Sequence, residues 1–310
     1  MSIQQVADAH YRRSQAHAAR VVAAALAVWR EVGPAGWQTE VRRVAGLLAA
    51  GQLVAAVQAA EYLVAVAQEQ DMAPAGATLV PRALAGVAAN GRDLTDILSI
   101  PAQRATALLE GGATAADAAT SGAATLTRIV GNEVVQAGTT GTQIAMTGQE
   151  RVTGYIRMLQ APACGRCVIL AGAWYEWNAG FKRHPGCDCI HVPAADSFGV
   201  SDLRTNPREY FNSLPPGQQD RVFGNKANAD AVREGADIGR VVNAQSFRYR
   251  GRTTSGLYEF AVGDGRTLQA TRRGTLTQPG GRLTPKSIYQ LADGDRAEAV
   301  RLLTDNGYLR

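Results

Sequence analysis

Apolar residues recur at helical spacing through the first part of the chain. Residues 3–30 form an alanine-rich stretch in which apolar side chains lie three or four positions apart, and this spacing predicts a helix. The pair Gly33-Pro34 predicts a break in that helix, because glycine and proline both disfavour continued helical backbone. Val41, Val44 and Leu48 resume the spacing and predict helix beyond the break.

Two further helices are predicted before residue 150. Ser99 and Pro101 are typical of a helix start, and Gly111 is typical of a helix end. Residues 114–146 then form a long stretch of alanine, threonine and valine that predicts one long helix. The first half of the chain therefore reads as α-helix almost throughout.

The second half has a mixed pattern. Polar and apolar residues alternate over residues 152–160, which predicts a strand leading into the cysteines. After Pro193 we expect these elements: a helix at 207–214, a turn at 215–217, a helix at 218–243, β structure over 247–277 with a hairpin turn at 263–265, and a helix after Pro285. The pattern as a whole predicts an α+β protein.

Charge and composition narrow the class of protein only slightly. The net charge of +5 is mild for 310 residues and does not by itself indicate a nucleic-acid-binding protein. No continuous apolar run approaches the roughly 18–20 residues of a membrane span, and the N-terminus lacks the features of a secretory signal. We therefore expect a chain made in a reducing cytoplasm, without a membrane span.

All four cysteines lie within 26 residues, as Cys164-x-x-Cys167 and Cys187-x-Cys189. In a reducing compartment, clustered cysteines bind metal more often than they form disulfides. A tight turn in the first pair directs both sulfurs to one centre, and structural zinc takes four such ligands in a tetrahedron. The sequence therefore predicts a structural zinc ion (Zn²⁺), and a disulfide framework is the alternative.

The fourth zinc ligand is ambiguous. In a flat strand, the two side chains of Cys187-x-Cys189 would leave the same face roughly 6–7 Å apart at the backbone. The chain must therefore bend there, or only one of the two sulfurs binds. The ligand set is either Cys164, Cys167, Cys187 and Cys189, or three cysteines with His184, whose ring the following Pro185-Gly186 turn would direct toward the metal.

The cysteine motif resembles a known family. Cys164-x-x-Cys167 followed by His184-Pro185-Gly186-Cys187-Asp188-Cys189 is similar to the C-x-x-C and H-P-x-C-x-C hallmark of the MuF-like (phage Mu F-like) head-morphogenesis proteins, minor capsid proteins of tailed phages. The resemblance covers roughly residues 115–310, and later stretches such as 219–244 look like the versions found in actinobacterial phages. Only the cysteine motif is specific.

This resemblance implies a virion protein. Such proteins are present in a few copies inside the capsid near the portal, where head assembly or genome ejection requires them. We therefore expect the portal protein or the major capsid protein as partner, and synthesis in the cytoplasm of the bacterial host. The predicted organisation is an α-helical N-terminal region over 1–112, a MuF-like core with a zinc-centred cysteine cluster over 113–198, and an α+β C-terminal region with a basic β section over 199–310.

Two other functions are alternatives to this role. The first is proteolysis, because related phage proteins are often described as capsid maturation proteases. A histidine base is hard to assign, since His10 and His17 lie in a predicted helix and His184 and His191 flank the cysteines. No H-E-x-x-H motif is present either, so we expect no catalytic residues. The second is contact with packaged DNA, because the segment from residue 240 to residue 282 contains eight arginines and only two carboxylate side chains. The candidate DNA contacts are Arg248, Arg250, Arg252, Arg272 and Arg273.

Overall fold

The longest element of the protein is a helical hairpin. The computed structural model describes residues 1–161, 163–179, 187, 189–197, 199–244, 248–253, 256–261, 282–283 and 285–306. Helix α1, Ile3–Gln68, begins with a capping box between Ser2 and Gln5. It is interrupted at Gly33, whose φ of 63° and ψ of −178° are not helical. We name the two segments α1N, residues 3–32, and α1C, residues 34–68.

Contacts between α1N and α1C show that the two segments lie side by side and antiparallel. The Nε2 atom of His17 is 2.8 Å from the Gly51 carbonyl oxygen, to which it donates, and the His10 ring stacks on Tyr62 at a centroid distance of 4.1 Å. The positive φ at Gly33 makes this reversal possible, because glycine adopts that conformation without a steric penalty. The predicted break at Gly33-Pro34 is confirmed.

Helices α2 (Leu94–Glu110) and α3 (Ala115–Thr147) complete a bundle with α1. Asp93 caps α2, and Thr114 caps α3. A short 3₁₀ helix, Pro81–Leu84, lies between α1 and α2. The long helix predicted over residues 114–146 is confirmed by α3.

The predicted start of α2 is wrong. The helix begins at Leu94, because the Asp93 side chain accepts a hydrogen bond from the Thr95 amide at 2.8 Å and so caps it earlier than Ser99. Pro101 lies inside the helix.

The bundle core is built from small and branched side chains. It is centred on Trp37, Val44, Leu48, Leu98 and Leu126, all fully buried. The Trp37 indole donates to the Leu98 carbonyl at 2.6 Å, which satisfies its one polar atom inside the core. Gly122 lets α3 approach α1 closely, since a Cβ there would lie 2.4 Å from the Trp29 ring.

A three-stranded sheet packs against the hairpin. Strands β1 (Gly154–Leu159), β2 (Trp174–Glu176) and β3 (Cys189–Ala194) lie in the order β2-β1-β3, and β1 pairs antiparallel with β2. The Tyr62 hydroxyl donates to the His191 carbonyl at 3.1 Å, so α1C is tied directly to β3. Strand β1 confirms the strand predicted over residues 152–160.

By its internal contacts the chain forms two compact units. The first comprises Met1–Met158 and Gly172–Arg204, and the second comprises Leu159–Ala171 and Thr205–Arg310. The predicted domain boundaries after residues 112 and 198 stay predictions.

The second unit consists of short helices and a small sheet. Its helices are α4 (Gly165–Leu170), α5 (Pro207–Ser213), α6 (Pro216–Val222), α7 (Lys226–Arg233), α8 (Ile238–Ala244), α9 (Pro285–Ala292) and α10 (Arg296–Asp305). Antiparallel strands β4 (Arg248–Thr253), β5 (Gly256–Ala261) and β6 (Arg282–Leu283) form its sheet in that order. The rings of Phe211 and Phe223 pack edge to face at 5.1 Å in its core.

Two predictions for this unit are wrong in detail. Residues 215–217 do not form a separate turn, because Pro216 takes the first position of α6, where its missing amide proton costs nothing. The single helix predicted over 218–243 is three helices, since Gly224 and Gly235 adopt φ of 89° and 96° and end α6 and α7. The hairpin turn predicted at 263–265 lies outside the described residues.

Among the described residues, α1 is also the helix long and apolar enough to cross a membrane. One 18-residue window of it has a mean hydropathy of 1.5, and 44 % of that window is buried inside the protein. Core helices of soluble proteins have the same length and composition, so this finding is weak evidence for a span. The fold is broadly α+β and mostly helical, as the sequence predicts.

Candidate metal centre

The first cysteine pair lies at the start of α4. Cys164 is the N-cap residue, and its Sγ accepts a hydrogen bond from the Cys167 amide at 3.4 Å. The two Sγ atoms are 3.5 Å apart. A side chain at position 165 would be crowded, since a Cβ there would lie 3.2 Å from the Val222 carbonyl oxygen. The chain thus turns tightly enough to bring both sulfurs to one side.

The second pair lies at the start of β3. Cys189 is the first residue of that strand, and Cys187 precedes it outside the strand. Both are buried, with 3 % of Cys187 and 5 % of Cys189 exposed. Because β3 begins only at Cys189, the pair is not held in the flat strand geometry that would separate the two side chains.

Three of the four cysteines come together. The Sγ atoms of Cys167, Cys187 and Cys189 all lie within 4.8 Å of one another, close enough to bind one metal ion. None of the four cysteines, all of which the structure describes, forms a disulfide. Cys164 is half-buried and joins this cluster through its contact with Cys167.

A buried arginine lies beside the thiols. Arg157 in β1 is only 2 % exposed, and its Nη2 atom lies 3.7 Å from the Cys187 Sγ, to which it donates. Burial alone would lower the pKa of Arg157. Electrostatic attraction to Cys189 and Cys187, and then to Tyr175, outweighs the effect of burial and raises that pKa above its ordinary value. The guanidinium therefore carries a full positive charge next to the cysteines.

The sequence reasoning did not select Arg157 as a site residue, although it noted the alternation of β1. An arginine at one of the alternating positions of a strand that is buried along its length is the signal that could have identified it.

Aromatic rings pack around the same strands. Tyr155 stacks on Tyr175 at 5.1 Å and meets the His191 ring edge-on at 5.1 Å. Burial is the main cause that raises the pKa of Tyr155 to about 12. His191, which flanks the cysteines in the sequence, is buried and takes part in this aromatic packing.

The remaining predicted site residues have different outcomes. His184 lies outside the described residues, so the choice between Cys164 and His184 as fourth ligand stays open. Arg248, Arg250 and Arg252 occupy alternate positions of β4, where Arg250 is paired in register with Glu259. Arg272 and Arg273 lie outside the described residues. The prediction of DNA contact therefore stays a prediction.

The two N-terminal histidines pack within the helical hairpin. His17 donates to the Gly51 carbonyl, and the His10 ring stacks on Tyr62. Burial, with a smaller contribution from Arg13, lowers the pKa of His10 from 6.5 to about 4. The protease alternative gains no support from these positions and stays untested.

Comparisons of the chain with protein-family models, with curated proteins and with solved structures found no match.

Proposed function

We propose that the cysteine cluster holds one structural zinc ion. The observation that carries this proposal is the convergence of three buried thiols, from Cys167, Cys187 and Cys189, which come from two stretches of the chain separated by 20 positions. Cys164 or His184 supplies the fourth ligand. Bound there, the ion would link these two stretches of chain without the need for a large hydrophobic core.

The spacing of the sulfurs supports zinc. Two thiolates on a tetrahedral zinc ion, each about 2.3 Å from the metal, lie roughly 3.8 Å apart. The distance between the Cys164 and Cys167 sulfurs is 3.5 Å, and the buried three fall within 4.8 Å of one another. Thiolate ligands favour soft or borderline ions, and closed cysteine-rich sites of this kind are usually structural zinc sites.

The charge of Arg157 supports a metal over neutral thiols. A buried guanidinium requires a nearby negative charge, since an isolated buried charge is costly. Zinc with four thiolates carries a net charge of −2, and zinc with three thiolates and a neutral histidine carries −1. Either complex would balance the charge of Arg157, whereas neutral thiols or a disulfide would contribute no negative charge beside it.

For the whole chain we propose the role of a MuF-like minor capsid protein in head assembly. The support is the resemblance of the C-x-x-C and H-P-x-C-x-C motif, together with the buried thiols that this motif supplies. In this role the helical bundle would dock on the portal or on the capsid interior, with several copies in each virion, and zinc would stabilise the segment beyond it.

The fourth ligand is identified by metal content. We expect about one zinc ion per chain in protein purified without chelator, and loss of that zinc in Cys167→Ser. Cys164→Ser and His184→Ala are then compared, and the variant that weakens zinc binding more identifies the fourth ligand. Full zinc content in Cys167→Ser, Cys187→Ser and Cys189→Ser would contradict the proposed site.

The capsid role is tested in particles. Mass spectrometry of purified virions that carry this gene should detect the chain in a few copies per particle, together with the portal protein. Particles made with the Cys187→Ser variant should contain less of it. Absence of the wild-type chain from virions and from their assembly intermediates would refute the capsid role and leave the zinc proposal intact.

A further inference from the structure

One face of α1C is apolar and exposed. It carries five large apolar side chains that remain 37–57 % exposed: Leu47, Leu53, Val54, Val57 and Val64. Between Arg43 and Glu61 every exposed residue of the helix is apolar or glycine. Single exposed apolar residues are ordinary, but a continuous apolar face on a helix is typical of an interaction surface.

The spacing along this face follows a heptad pattern. Residues 43, 47, 50, 54, 57 and 61 are separated by alternating steps of four and three, the spacing of the contact positions in a two-stranded coiled coil. We name this set the α1C stripe: Arg43, Leu47, Ala50, Val54, Val57 and Glu61. Over the 18 steps from residue 43 to residue 61 it is about 27 Å long, short enough for a straight helix to keep its face toward a partner.

The α1C stripe is complementary to itself when reversed. Around the level of residue 52, Arg43 mirrors Glu61, Leu47 mirrors Val57, and Ala50 mirrors Val54. A two-fold axis at that level therefore sets each positive end against a negative end and each smaller side chain against a larger one. We propose that the α1C stripe binds a second copy of this chain, with the two helices antiparallel.

The end charges select this orientation. A parallel pair in register would set Arg43 against Arg43 and Glu61 against Glu61, and like charges at such positions are unfavourable. In the monomer, Arg43 lies 3.3 Å from Glu40 and Glu61 lies 3.1 Å from Arg13. The Arg43 and Glu61 side chains are themselves exposed, and ion pairs of exposed side chains are weak, so both can turn to a partner at little cost.

The interface expected from one helix pair is small. A contact about 27 Å long buries less than the roughly 800 Å² per partner of a standard interface. The dimer should therefore depend on protein concentration, and sedimentation equilibrium over a range of concentrations is the suitable measurement. The mass should rise from that of the 32.7 kDa monomer toward twice that value.

Val54→Glu tests the apolar part of the surface. A carboxylate at the centre of the α1C stripe should raise the dimer dissociation constant by about tenfold or more. The matched control is Ile144→Glu, since Ile144 on α3 is similarly exposed, at 45 % against 42 % for Val54, but lies outside the stripe. Circular dichroism tests whether both variants keep their helical content.

A charge exchange tests the antiparallel arrangement. Arg43→Glu alone and Glu61→Arg alone should each weaken the dimer by about two- to fivefold, because each creates like charges across the interface. The double variant should restore the wild-type constant. In a parallel dimer each position would face its own copy, so neither single variant would add like-charge pairs, and the pattern of weakening followed by rescue would not occur. These substitutions lie at exposed positions, so they report on association even if Val54→Glu is poorly folded.

Three results would overturn the proposal. They are a wild-type chain that stays monomeric at high concentration, a dimer that Val54→Glu leaves unchanged, and a double charge variant that dimerises no better than the single variants. Flotation of the monomeric wild-type chain with phosphatidylcholine vesicles, abolished by Val54→Glu, would likewise overturn it in favour of a lipid surface.

Discussion

The helical bundle and the cysteine segment differ in how many side chains hold them together. In the bundle, the core is spread over many small contacts along α1, α2 and α3, with close approaches such as Gly122 against Trp29. In the cysteine segment, a few short elements surround three thiols and one buried arginine. Loss of one residue should therefore weaken the bundle moderately and the cysteine segment severely.

The largest effect is expected for Cys187→Ser. Structural zinc contributes on the order of 10 kcal/mol to small zinc-dependent folds. Its loss should therefore lower the melting temperature of the unfolding transition that includes the cysteine segment by roughly 10 °C or more. Differential scanning calorimetry measures this. As a control, a zinc chelator should lower the melting temperature of the wild-type protein similarly and should not affect the variant.

A pH effect of intermediate size is expected from His10. Its pKa is about 4 in the folded protein and 6.5 in the unfolded chain, so between these values the unfolded chain binds the proton and stability falls as the pH falls. From pH 7 to pH 4.5 this histidine should cost about 2–3 kcal/mol. Urea unfolding of the wild type and of His10→Gln at both pH values isolates this contribution, because protonation of the cysteines affects both proteins. Equal pH dependence of the two would contradict the assignment.

Close packing in the bundle is tested by one substitution at two glycines of α3. In Gly122→Ala the new Cβ would lie 2.4 Å from the Trp29 ring, and overpacking of this kind costs about 1–3 kcal/mol. In Gly131→Ala the nearest atom, on Val22, is 3.6 Å away, so the gain in helix propensity should stabilise by about 0.5–1 kcal/mol. Denaturant unfolding distinguishes the two, and equal effects would refute the packing account.

A smaller effect than that of losing a cysteine is expected from Arg157. Arg157→Met removes the buried positive charge beside Cys187 and should weaken zinc binding by about 10–100-fold, as the loss of outer-shell partners does in other metal sites. Arg157→Lys keeps the charge and should weaken it less. Competition with a chromophoric chelator gives both affinities. An unchanged affinity in Arg157→Met would show that the arginine has no part in the site.

Much of the helical architecture could be predicted because it depends on local signals. The alanine-rich pattern predicted α3 nearly to the residue, and Gly33-Pro34 predicted the break within α1 but not the reversal of direction there. The start of α2 was wrong because Asp93 and Ser99 are both acceptable caps, and the sequence does not rank them. Burial decides such cases, and burial depends on contacts between distant parts of the chain.

The candidate site could be predicted only in part. The spacing of the cysteines identified the metal ligands as a group, since that spacing has few other chemical explanations. It did not identify Arg157, which approaches Cys187 only through the pairing of strands. The closeness of the Cys187 and Cys189 sulfurs likewise depends on where β3 begins.

The central claim is that thiolates of this chain bind zinc, and zinc K-edge X-ray absorption of the protein as purified tests it most directly. The account predicts three or four sulfur neighbours at about 2.3 Å, with any remaining neighbour a nitrogen near 2.0 Å. A protein without zinc, or zinc surrounded only by oxygen and nitrogen, would contradict it.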